Sequence, residues 1–161
     1  MPATSSSDLV MLRHALATMV YRGSRIFRDA PVDFGTFRIK EGSRTPVEIV
    51  AHMGDLFDWA LSMAKGRKTW RDSVPQNWDG ELVRFYVSVK ALDAFLSESS
   101  TLACSRERLF QGPIADALTH VGQLAMLRHV FGFPIRGENY FKAEITIGRV
   151  GREQAAPRKE F

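Results

Sequence analysis

The sequence has a single cysteine, Cys104, so no disulfide can form within one chain. One thiol in 161 residues fits a reducing compartment, and a cytoplasmic protein is expected. No stretch approaches the roughly 18 to 20 apolar residues that cross a bilayer, which excludes a membrane-spanning helix. Met1 to Ser7 carry no apolar run, so no signal peptide is expected there. Gly54, Gly66 and Gly80 stand singly, and there is no glycine-rich phosphate loop. A Gly-x-Ser-x-Gly nucleophile elbow is also missing, which removes the commonest serine-hydrolase arrangement. The net charge is +4, yet the basic residues are scattered. Arg67, Lys68 and Arg71 are the nearest approach to a cluster, and Glu153 and Glu160 dilute the basic tail. A nucleic-acid surface needs a one-faced basic stripe. Neither nucleic acid nor membrane is expected as a partner.

What remains is an ordinary globular balance of 45% apolar and 25% charged residues. The length suits one domain, residues 1–161, that can bury its own core without a staple. Apolar residues recur at steps of three and four from Asp8 to Arg28, through Leu9, Leu12, Leu16, Met19, Val20, Gly23, Ile26 and Phe27. That spacing predicts an amphipathic helix, with His14 on its outer side. Asp29 to Ser43 is punctuated by Pro and Gly and reads as a long crossing loop, with room for a short strand at 36–40.

Thr45, Pro46 and Glu48 form the pattern of a capping box with proline at the first helical position. The second helix should run from there to Lys65 and end at Gly66. One of its stripes reads His52, Leu56, Trp59, Met63, which turns the histidine inward. A third helix, capped by Asn77 or Asp79, should reach Glu98 with Leu82, Phe85, Tyr86, Val89, Leu92 and Leu96 inside. Asp93 shares that stripe and therefore needs a partner. A fourth should begin near Gly112-Pro113 and stop at Phe131, ahead of Gly132 and Pro134. The fold class is then all-α, a four-helix bundle with a long first connection. Its core covers about 8–135, and an irregular, flexible tail is expected over about 150–161.

Three polar residues stand where the helical period calls for apolar ones: His52, Asp116 and His120. Asp116 and His120 are four apart and share a face, continued by Gln123. Two imidazoles and a carboxylate can bind a divalent first-row metal and leave positions open for water or substrate. An inward histidine can equally be a hydrogen-bonded core residue, and a carboxylate early in a helix suits the macrodipole alone. Glu48 is accounted for by the capping box. His129 lies nine residues beyond His120, which rotates it to the opposite side of the helix.

The run Asp116-Ala117-Leu118-Thr119-His120-Val121-Gly122-Gln123, with Leu124 and Leu127 behind it and His52 on the second helix, resembles the DinB-like family of four-helix bundles. The resemblance covers about residues 8–135. It implies a divalent metal held by a histidine of the second helix and by two ligands four apart on the last. The second of that pair opens a His-x-Gly-Gln signature, here His120-Val121-Gly122-Gln123. It further implies a metal-dependent hydrolase or small-thiol transferase acting on a small-molecule substrate. Gln123 would orient a ligand from behind it, and Asn139 and Tyr140 would fold over the open end as substrate contacts. Asp116 departs from the family, which often has histidine there. An aspartate hardens the site towards manganese or iron without excluding zinc or nickel, and also fits a site that has lost its metal. A homodimer is expected. The alternative is a non-catalytic helical binding or dimerisation module, with a buried polar network in place of the metal.

Overall fold

Thr45 accepts from the Glu48 amide at 3.3 Å, while the Glu48 carboxylate accepts from the Thr45 amide at 2.6 Å. This reciprocal pair starts the second helix where the sequence places it. The computed structural model describes residues 5–161. It comprises α1 (Ser5–Phe27), α2 (Pro46–Ala64), α3 (Trp78–Glu98), a short α4 (Arg106–Leu109) and α5 (Ala115–Val130). A π-turn, Phe110–Ile114, joins α4 to α5, so these three pieces form one continuous fourth rod. Short 3-10 turns lie at Val32–Thr36 and Tyr140–Lys142, and no strand forms among the described residues. No helix among them is long and apolar enough to cross a membrane.

α2 packs most extensively on α3, and α1 packs on both α3 and α5. Contacts between α2 and α5 close the ring, so the order around the bundle is α1, α3, α2, α5. Of the stripes read from the sequence, Leu16, Met19, Val20, Leu56, Phe85, Val89 and Leu92 are buried at its centre, joined by Val50, Phe57 and Leu124, while Trp59 and Met63 are only half-buried. Asp93 finds its partner in Arg13 of α1, whose Nε and Nη2 donate to the two carboxylate oxygens at 2.8 and 3.0 Å.

Four expectations are corrected. The first concerns the connections. Phe27 at the end of α1 meets Trp78 at the start of α3, and Phe34 meets both Trp78 and Phe131, just beyond α5. At the other end, the Ala103 amide donates to the Ala64 carbonyl at 2.9 Å, so the ends of α2 and α3 lie together. α2 and α3 are therefore parallel neighbours. Parallel neighbours need a return path, and residues 65–77 supply it. The end-to-end crossover is the second connection; the first, residues 28–45, stays at one end of the bundle. Gly66 starts the return with φ +78°. Its amide bonds the Met63 carbonyl, and the Arg67 amide bonds that of Ser62 at 2.8 Å, a left-handed helix stop that glycine adopts without strain.

Second, 36–40 is not a strand. Val32–Thr36 coils tightly and drops Phe34, 0% exposed, between Trp78 and Phe131. Burying that ring contributes on the order of 2–3 kcal/mol, which fixes the loop better than an unpaired strand could. Third, the last helix begins before Gly112-Pro113, at Arg106, capped by Ser105. Proline lacks an amide donor and its ring crowds the carbonyl four residues back; the wider π-turn takes up both without ending the rod.

Fourth, the segment after Val150 is folded back. Val150 is buried, the Asn139 amide donates to the Lys159 carbonyl, and the Phe161 amide donates to Gly137. A buried network ties this region to α1. Tyr21 donates to Glu138 Oε1 at 2.6 Å, and Arg25 Nη1 lies 3.0 Å from Oε2. Burial, then the bond to Glu138, pushes the Tyr21 hydroxyl pKa up and keeps it a donor.

Candidate metal centre

α2 and α5 share a seam, and the three polar residues singled out from the sequence meet on it. One ligand atom from each of His52, Asp116 and His120 lies within 4.8 Å of the other two. His52 Nε2 is 3.6 Å from Asp116 Oδ2, and His120 Nε2 is 3.5 Å from Oδ1. These separations are long for hydrogen bonds. They suit two atoms bound to one ion: bonds of about 2.1 Å at a tetrahedral angle set ligands roughly 3.4 Å apart. The group can hold a metal ion.

The imidazole of His120 carries the most direct test of fit. Its Nδ1 lies 2.8 Å from Gln123 Oε1 and donates to it, which leaves Nε2 as the lone-pair nitrogen. That Nε2 is buried and has no hydrogen-bond partner among the described residues. A buried acceptor left without a donor costs about 1–3 kcal/mol. A cation beside Asp116 and His52 would remove that cost, so the residues present fit the group. Gln123 stands behind the His120 ring, as its position one turn on implies.

His52 stands edge-on to His120, with ring centroids 4.9 Å apart. Burial, then the charges of Arg44 and His120, lower its pKa, while Asp116 opposes them. A neutral imidazole is the form a metal needs. The helix-end explanation of Asp116 loses its footing, because α4 and the π-turn continue the helix back to Arg106. Its amides there are not free ends. Half-exposed, with 45% of its side chain accessible, Asp116 opens the group to solvent; the His120 side chain is 9% exposed. Glu48 is committed to Thr45 and Arg38, as the capping box requires, and its pKa is lowered chiefly by the Thr45 amide. His14 and His129 are both exposed.

Asn139 and Tyr140 are not brought to this group. Asn139 caps the 3-10 turn at Tyr140–Lys142. Tyr140 packs against Tyr21, Arg22 and Arg25 of α1. Sequence reasoning missed the residue that does flank His52: Trp70, 5.8 Å away between ring centroids and itself against Trp59 at 5.9 Å. It lies on the return path, where no period points. Also missed was the buried network beneath. Arg84 of α3 donates to Asp55 and Glu81, each at 2.9 Å, and Ser73 donates to Asp55 through its amide and hydroxyl. This pins residues 65–77 along α2 and holds Trp70 at the site. Cys104 lies elsewhere, and burial raises its pKa, so it is not held as a thiolate. A cavity of about 680 Å³ lies at the end of the bundle, between Phe27, Trp78 and Tyr86, away from this group.

No family model, curated protein or solved structure matches the chain.

Proposed function

We propose that the chain is a metal-dependent enzyme of the DinB-like kind, a hydrolase or small-thiol transferase, with His52, Asp116 and His120 as ligands. The observation that carries this reading is the buried, unpartnered Nε2 of His120, aimed between an imidazole and a carboxylate. When bound, a divalent ion supplies Lewis acidity and makes a water or thiol more acidic. The chain's own residues do the rest. Gln123 fixes the tautomer of His120 and the plane of its ring. Trp70 covers one side of His52 and limits access of water there. Asp116, the most exposed of the three, marks the side from which a substrate reaches the group. Zinc, nickel, manganese and iron are the candidates, the carboxylate favouring the last two. The substrate is a small molecule.

Protein prepared without a histidine tag should carry about one equivalent of divalent metal by plasma mass spectrometry. After stripping with chelator, re-addition of one of these ions should raise the unfolding temperature, because a ligand of the native state stabilises it by mass action. No shift with any of the four would leave a non-catalytic helical module as the better account.

A further inference from the structure

α1 and α5 leave a groove of about 420 Å³ on the side of α5 away from His120. Leu118, Val121, Gly122 and Ala125 line it. At about 100° per residue these lie roughly opposite Asp116, His120 and Gln123 around the helix. The walls are mostly apolar, with Thr18 and Tyr140 among them, and Arg22 is the one charged residue lining it. Its guanidinium is stacked 4.1 Å from the centre of the Tyr140 ring, and its buried Nε has no hydrogen-bond partner among the described residues. Arg25, one turn further on, is taken up by Glu138 at 3.0 Å and by the Arg136 carbonyl at 2.9 Å. The terminal nitrogens of Arg22 are not buried and bond no acceptor among the described residues, so they are open to an anion that enters the groove.

We propose that this groove is a ligand site for an amphiphilic monocarboxylate. The carboxylate pairs with Arg22 and an apolar tail lies along Leu118, Val121 and Ala125. A planar guanidinium matches a carboxylate two bonds at a time, and its single charge is balanced by one negative charge; a phosphate dianion would leave an excess against apolar walls. The seven-residue rise from Leu118 to Ala125 allows a tail of about 10 Å. Gly122 keeps the floor open, with nothing within 4 Å of where a Cβ would stand.

Sodium octanoate is the probe, read by isothermal calorimetry and by thermal unfolding of the full chain. Octanoate should bind and raise the unfolding temperature, while acetate, which lacks the tail, and octanol, which lacks the charge, should do neither. Arg22→Met keeps the stem and should weaken octanoate at least tenfold. Gly122→Phe fills the floor without touching the charge and should do the same, which decides the matter if Arg22→Met does not fold. His120→Ala should leave octanoate affinity unchanged, so failure of the metal reading and failure of this one are separable. No binding at millimolar octanoate, equal stabilisation by octanol, or undiminished affinity in Gly122→Phe would each overturn the proposal.

Discussion

The guanidinium of Arg84 on α3 lies across Gly54 on α2, with Nη1 2.9 Å from the point a Cβ on that residue would occupy. The same guanidinium is held by Asp55, Glu81 and the Ala51 carbonyl. It cannot yield without breaking those bonds. Alanine is the better helix former by about 1 kcal/mol, but each charge-assisted bond lost costs about 1.5–3 kcal/mol. Gly54→Ala is therefore expected to destabilise the chain by about 1–2 kcal/mol in urea unfolding. An unchanged or raised midpoint would mean that Arg84 moves freely.

Gly122 is the opposite case. It is helical, and a methyl there meets nothing within 4 Å. Gly122→Ala should stabilise by about 0.5–1 kcal/mol through backbone entropy and propensity alone. The two substitutions, identical in chemistry, should move the midpoint in opposite directions.

His120→Ala and His52→Ala should each remove the metal equivalent and the thermal shift on adding metal. Asp116→Ala should weaken binding, with water taking the place of one oxygen. His14→Ala and His129→Ala, both exposed, should leave metal content unaltered. Loss of metal in His129→Ala with the helical spectrum intact would contradict the helical phase of α5.

Acid stability should depend on Glu48. The Thr45 amide, then the Thr45 hydroxyl and Arg38, hold its folded pKa below the usual carboxylate value, against the opposing effect of burial. Between that lowered value and about 4.3, the unfolded chain binds more protons than the folded one. The capping contribution is thus complete above the unfolded value and is lost as the pH falls through the folded one. Glu48→Gln, which keeps a capping acceptor without the charge, should flatten the stability profile below about pH 5. A profile identical to wild type between pH 5 and 3 would remove Glu48 from the account.

Arg128, 4% exposed, donates to the carbonyls of Arg28 and Phe133 and to that of Ile26, gathering the end of α1. Burial lowers its pKa, but it stays charged. Arg128→Met preserves much of the packing and leaves those carbonyls without a donor. A loss on the order of 3 kcal/mol is expected from chemical denaturation. A loss under about 1 kcal/mol would show that the carbonyls find other partners.

Much of this protein is local, and local features are legible in the residues themselves. The stripes from Leu9 to Val20 and from Leu82 to Leu96 mark their helices because burial repeats with the helical turn. Thr45 and Glu48 mark a helix start because both partners of the capping box lie within one turn. Asp116 and His120 are neighbours by spacing, and the inward phase of His52 offered the third member of the group. Tertiary structure alone decided what depends on distant partners. Pro113 reads as a helix start, but the continuing rod around it makes a π-turn the cheaper solution. The parallel pairing of α2 and α3 makes residues 65–77 the crossover, and only that path brings Trp70 to His52. Glu138 reaches Tyr21 across 117 positions, and Arg84 reaches Asp55 across 29, through side chains whose spacing carries no period. Such bonds exist because burial leaves a charge no solvent partner, so the packed chain has to provide one.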